Sequence, residues 1–216
     1  MRHILCCLLF SLSCSGLRAQ QKQYPVAAVA FYNLENFFNP EDNPETNDED
    51  FTPDGSHRYT EAVFRQKAKN MATVIAQLGT EYTPDGAAIV GVCEIEDDRV
   101  LKVLVQQPEL KQRNYRYIRF DGPDKRGINV GLLYNPKYFR VLSAKPIGIN
   151  LKFAGGGLTR DVLLVQGILL GDTVHILVNH WPSRSGGEAA TAPKREAAAI
   201  VNKKAIAQLL AQNPQA

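Results

Sequence analysis

The sequence predicts an α/β fold, and three features carry that reading. Two short apolar runs, Val26 to Tyr32 (VAAVAFY) and Ala87 to Cys93 (AAIVGVC), have the length of buried strands. Between them, Phe64, Ala68, Met71, Ile75 and Leu78 recur at the spacing of one helix face. Strand, helix and strand within about seventy residues form the pattern of a parallel βαβ crossover.

The whole chain is compatible with this class. It has 216 residues, 44% of them apolar, with 16 Gly and 12 Pro spread along its length. That composition excludes a disordered chain, a collagen-like repeat and a disulfide-dense miniprotein. The 25 basic side chains nearly balance the 22 acidic ones. A net charge of +3 supplies no broad electrostatic footprint for nucleic acid, so any such role must come from a local site.

In chain order, residues 1–19 differ in kind from the rest. A short basic start, Met1-Arg2-His3, precedes an apolar run from Ile4 to Cys14 broken only by serines, and then the small-residue stretch Ser15-Gly16-Leu17-Arg18-Ala19. This is the pattern of a secretory signal peptide cleaved after Ala19, and it implies a secreted or periplasmic protein. Lipid attachment at Cys14 is the lesser alternative, because Leu12-Ser13 makes a poor lipobox. Cleavage removes Arg2, Arg18, Cys6, Cys7 and Cys14, which leaves a nearly neutral chain with Cys93 as its one cysteine. Such a chain has no intramolecular disulfide and no Cys/His zinc spacing. No later apolar run is long enough to span a bilayer, and no protein partner is implied. Residues 20–216 are expected to form one domain.

Beyond the first strand, residues 39–57 are rich in Pro and acids and read as a solvated surface loop without EF-hand spacing. Thr60 is placed to cap the helix that follows, and Gly79 to end it. A short helix is expected over Asp98 to Val105. Strands follow near 115–120, 128–134, 139–146, 161–170 and 173–179, and a last helix from Pro193 to Leu210 carries Pro193 in its first turn.

In open α/β sheets, functional groups gather at the carboxyl ends of strands. Three segments occupy such ends: Asn33-Leu34-Glu35-Asn36, Glu94-Ile95-Glu96-Asp97-Asp98, and Asn179-His180-Trp181-Pro182-Ser183-Arg184. Carboxylates and an amide there make a hard-oxygen cluster suited to Mg²⁺ with a substrate phosphate oxygen. A nearby His can protonate a leaving oxygen, and Ser and Arg can hold the other phosphate oxygens. Each residue also has a structural reading that stays open here. Asn33 can close a turn, Glu35 can be solvated, residues 96–98 can start a helix, and His180 can be a structural histidine beside Trp181.

Four segments taken together extend the argument: Phe31-Tyr32-Asn33-Leu34-Glu35-Asn36, Gly91-Val92-Cys93-Glu94, Arg126-Gly127-Ile128-Asn129-Val130-Gly131-Leu132-Leu133-Tyr134, and Asn179-His180-Trp181-Pro182-Ser183-Arg184-Ser185-Gly186-Gly187. In this order they resemble the endonuclease/exonuclease/phosphatase superfamily over roughly residues 26–212, nearest to secreted bacterial members with an Asn-His-Trp-Pro-Ser-Arg segment. The resemblance implies a four-layer α/β sandwich of the deoxyribonuclease I-like type, and divalent-metal-dependent hydrolysis of phosphate esters. A phosphodiesterase or nuclease comes first, with nucleic acid as a possible substrate. A phosphomonoesterase or lipid phosphodiesterase is the alternative. It further implies metal binding by Glu94, Asn33 and Glu35, with Mg²⁺ first and Mn²⁺ or Ca²⁺ as substitutes. His180, with Asn33 and Glu94, would face the scissile phosphate. Ser183 and Arg184 would reach substrate, Arg160 would be a weaker phosphate contact, and Arg126 weaker still.

The sequence departs from the family in its second half. It contains no Gly-Asp-Phe-Asn segment and no histidine after His180, so the water-activating Asp and Asn have no counterpart. The expectation is the N-terminal half of the fold plus part of the second sheet, catalytically impaired, with exposed apolar surface and strand edges. Two readings of other classes remain: a secreted non-catalytic binding module, and a hydrolase using Glu94 and Glu96 as paired acids, which would share a face on a regular strand.

Overall fold

The computed structural model describes residues 25–216; the signal-peptide reading of residues 1–19 and the alternative at Cys14 fall outside them. In chain order the elements are β1 (Ala28–Phe37), α1 (Glu61–Gln77), β2 (Ala87–Ile95), α2 (Asp98–Val105), α3 (Pro108–Lys111), β3 (Arg116–Arg119), β4 (Asn129–Tyr134), β5 (Phe139–Asn150), β6 (Leu158–Leu169), β7 (Asp172–Val178) and α4 (Glu188–Gln212). One sheet has the order β1-β2-β4-β3 and the other β5-β6-β7. β1 and β2 run parallel, joined by α1 as the crossover, and every other pairing is antiparallel.

Four layers result, and the alternation along β2 explains them. Val90, Val92 and Ile95 face the helices, where Phe64, Ala68, Met71 and Ile75 of α1 meet Val100, Leu101 and Leu104 of α2. Ile89 and Cys93 face the other way, into a second core with Val130, Leu132, Phe139, Val165 and Val178 between the two sheets. α4 covers the far side of the second sheet, packing Ala198 against Ile149, Leu151 and Val162. The α/β sandwich expected from the sequence is present.

α1 begins and ends as its sequence dictates. The Thr60 hydroxyl accepts from the Val63 N–H at 3.4 Å. Gly79 turns at φ +77°, and a Cβ there would lie 2.5 Å from Ala28 Cβ, so the chain can leave the helix only on a glycine. The four inward residues of α1 are buried, and Leu78 is partly so.

Several boundaries differ from the sequence reading. β1 starts at Ala28 and runs on to Phe37 through an irregular stretch, rather than ending at Asn33. β5 extends to Asn150 and holds Pro146, which an edge strand tolerates. α4 starts at Glu188, so Pro193 lies inside the helix rather than in its first turn. Asp48 of the acidic 39–57 loop is 2% exposed, not solvated. The face of β1 toward the second sheet is half open, with Val29 58% and Phe31 55% exposed. No helix among the described residues is long and apolar enough to cross a membrane.

Candidate active site

The site forms where β1 and β2 stop being regular. Their register pairs Asn33 with Cys93 and then jumps, so that Phe37 next pairs with Ile95. Three residues of β1 therefore face one residue of β2. The excess is absorbed by left-handed backbone at Glu35 (φ 51°) and Asn36 (φ 58°), opposite Glu94 (φ 59°). Between β2 and β4 the register also shifts, from Cys93↔Val130 to Ile95↔Asn129, which leaves Glu94 as the extra residue of a bulge. Left-handed non-glycine residues cost on the order of 1–3 kcal/mol each and persist only where their surroundings hold them.

Those surroundings are hydrogen bonds that end on Glu94. The Asn33 amide Nδ2 donates to Glu94 Oε1 at 3.0 Å, and the Asn36 N–H donates to Oε2 at 2.8 Å. Asn33 Oδ1 accepts from the Glu35 N–H at 2.7 Å, which fixes the amide with its nitrogen toward Glu94. The ammonium of Lys67, reaching over from α1, donates to the carbonyls of both Glu35 and Asn36.

The second sheet supplies the other wall. His180, just past β7, puts Nε2 3.2 Å from Glu94 Oε1, and its Nδ1 is buried without a partner. Burial, and then the Arg160 guanidinium, push the His180 pKa below its usual range, with Glu94 pulling the other way. The ring is therefore neutral at pH 7, and its contact with Glu94 is polar rather than ionic. The turn that carries His180 is firmly held. Arg160, buried on β6, donates to the carbonyls of His180 and Trp181 and pairs with Asp124 at 2.8 Å. Asn179 Oδ1 accepts from Trp181 Nε1 and from Asn202 of α4.

Glu94 and His180 open into a cleft of about 330 Å³, whose walls include Arg126, Thr159, Arg160, Ser183, Ser185 and Lys194. Glu94 is its one carboxylate, against three cationic side chains. Asn33, Glu94 and His180 are thus brought together as the sequence suggested. Ser183 lines the cleft from an exposed position. Arg160 reaches the wall, but its hydrogen bonds go to the protein. Arg184 is exposed, lies 3.8 Å from Glu188, and is not part of the cleft wall. The Glu35 side chain is exposed, and its backbone, not its carboxylate, carries the contacts. Among the described residues, no three His, Cys, Asp or Glu side chains group as a metal cage.

The paired-acid reading fails on this geometry. The bulge at Glu94 breaks the two-residue alternation, so Glu96 enters a separate environment. It is 4% exposed and accepts from the Asn39 N–H at 2.7 Å and Asn39 Nδ2 at 2.9 Å. Asp97 is the cap of α2, accepting from the Val100 N–H. Cys93, beside Glu94, is inert: burial and then the Glu94 charge push its thiol up to about 12.

Lys67, Asp124 and Lys194 were not singled out from the sequence. Lys67 and Lys194 lie within helices whose pattern marks apolar positions only, while Asp124 stands two residues before Arg126, outside the quoted segments.

Residues 28–216 match the Endonuclease/Exonuclease/phosphatase family, and the chain belongs to it. Two crystal structures of TDP2 from Caenorhabditis elegans superpose with a TM-score of 0.51, at 18% and 19% identity, over 72% of this chain and 40% or 41% of theirs. An endonuclease/exonuclease/phosphatase from Bacteroides vulgatus aligns at a TM-score of 0.47 and 14% identity, over 82% of this chain and 59% of that one. The chain therefore spans about two fifths of the length of the nematode structures. No curated protein matches by sequence.

Proposed function

We propose that the chain carries the cation- and phosphate-binding part of a divalent-metal-dependent phosphoesterase, with phosphodiesters, nucleic acid among them, as the first substrate class. One observation carries this reading: Asn33 and His180, far from Glu94 in sequence, converge on its carboxylate, which opens into a cleft whose other charges are positive.

Glu94 fits a Mg²⁺ ion as a single carboxylate ligand. Each of its oxygens accepts from a protein donor and keeps lone-pair capacity toward the cleft, and Mg²⁺ is commonly held by one or two carboxylates plus substrate phosphate and water. Mn²⁺ or Ca²⁺ can replace it. Asn33 serves by orienting Glu94, and the exposed Glu35 carboxylate is within the same segment for an outer contact. When bound, the metal supplies charge neutralisation on a phosphoryl oxygen.

The protein's own groups do the rest. Arg126 and Lys194 attract and orient the phosphate. His180, neutral, carries its one N–H on Nε2 beside Glu94 Oε1, where the cleft lets it be shared with a phosphate oxygen. Arg160 holds the His180 carbonyl, and with it the height of the imidazole over Glu94. Ser183 and Arg184 stand on the outer rim for the remainder of the substrate. The leader-like residues 1–19 support a secreted or periplasmic location.

The test is hydrolysis of bis(p-nitrophenyl) phosphate with and without Mg²⁺, beside the monoester as control. The chain has no counterpart of the water-activating Asp and Asn, so its Mg²⁺-dependent rate is expected to be low, and Glu94→Gln is expected to abolish it. An unchanged rate removes Glu94 from the mechanism, and faster monoester turnover favours the phosphomonoesterase reading.

A further inference from the structure

Lys67 stands next to the Glu94 site and is not part of the cleft. It lies in the second turn of α1, half-buried, near the Glu35 and Glu94 carboxylates. Its ammonium donates to the carbonyls of Glu35 and Asn36, the latter at 3.1 Å. These two residues hold the left-handed backbone that absorbs the register jump of β1. The N–H of the second, Asn36, is one of the two protein donors on the Glu94 carboxylate. A helix side chain, a strained strand end and the carboxylate thus form one connected chain of contacts.

We propose that Lys67 is a positioning residue for the cation site: by clamping the Glu35 and Asn36 carbonyls it keeps the Asn36 N–H on Glu94 and so fixes the carboxylate for a divalent cation. The inference rests on the reading of Glu94 as the cation ligand. Lys67 itself touches neither cation nor substrate.

The idea makes a prediction whose sign separates it from plain electrostatics. An ammonium near Glu94 repels a dication, so charge alone says that its removal tightens cation binding. A clamp says the opposite, because a carboxylate released from its donor is no longer pre-oriented.

The experiment is a Mn²⁺ titration of the intact chain, followed by electron paramagnetic resonance, for wild type, Lys67→Met and Lys67→Arg. Amide exchange at Asn36 and thermal melting are measured on the same samples. Lys67→Met is expected to weaken Mn²⁺ binding roughly tenfold, the scale seen when hydrogen-bond partners of metal ligands are lost. It should also speed exchange of the Asn36 amide and leave the melting curve near that of wild type. Lys67→Arg, which can donate to both carbonyls, should restore binding and protection. Unchanged or tighter binding by Lys67→Met overturns the inference, as does failure of Arg to rescue. A wild type that binds no Mn²⁺ overturns the Glu94 reading and this inference with it. If Lys67→Met does not fold, Lys67→Gln takes its place, with intermediate weakening expected and unchanged binding counting against the clamp.

Discussion

Glu94 and Glu96 stand two residues apart at the end of one strand and live in opposite surroundings. Glu94 is partly open, held by two donors and faced by His180, in a cleft where every other charge is positive. Glu96 is closed in. It borders a larger cavity of about 540 Å³ that also gathers Glu41, Asp42, Glu45, Asp97, Asp121 and Asp124. Burial first, opposed by the Asn39 N–H and reinforced by Asp97 and Asp48, pushes the Glu96 pKa up to about 8. One carboxylate opens into a cleft, and the other is a buried group, pushed toward its protonated form, that ties Asn39 to the strand. The difference comes from a single extra residue. Without the bulge the two side chains would share a face and neither environment could form.

The sharpest way to break this comparison is to neutralise each acid in turn. Glu94→Gln is expected to lower Mn²⁺ affinity by more than roughly a hundredfold, beyond what loss of a supporting hydrogen bond costs. Glu96→Gln should leave affinity within about twofold. Equal losses in the two variants, read by the same titration, would show that the acids act as a pair after all.

Next in size is the residue between them. Ile95 is fully buried against the helices and pins the strand after the bulge. Ile95→Ala is predicted to destabilise the protein by about 2–5 kcal/mol in urea unfolding, the range for a buried large-to-small change. A loss well under that would mean that the strand end is loosely packed and the bulge adaptable.

A third experiment uses pH. Glu96 has a folded pKa raised above its unfolded value, so the folded state holds a proton that the unfolded state releases. Its contribution to stability is complete below about pH 4.5 and falls by about 1.4 kcal/mol per unit as pH rises toward about 8. Glu96→Gln should remove that slope, and so gain on wild type as pH increases. Parallel stability–pH curves for the two proteins would refute the protonated assignment. The smallest effect concerns the start of α1: Thr60→Ala should cost about 1 kcal/mol through the lost cap and leave Mn²⁺ binding unchanged.

What could be read without coordinates follows the same division. The βαβ start, the inward face of α1 and the Asp98–Val105 helix are local, periodic features, and the structure has them where the pattern put them. Asn33, Glu94 and His180 were legible as strand-end groups because strand ends are recognisable from apolar runs. The bulge was not, since nothing in Glu94-Ile95-Glu96 signals that the first residue takes positive φ. Its cause lies in the register with β1 and β4, a property of three strands together. Arginine chemistry points Arg160 to phosphate; on β6 it lines the cleft while its hydrogen bonds go to the His180 and Trp181 carbonyls and to Asp124, partners that residue type alone does not reveal. Lys67 gave no signal at all: its partners are two carbonyls, which look alike in every sequence.

The central claim is tested most directly by adding substoichiometric Mn²⁺ to the intact chain and following the histidine ring resonances. Broadening of His180 ahead of His57 and His175, absent in Glu94→Gln, is the predicted result. Broadening that spares His180, or that persists without the Glu94 carboxylate, would contradict it.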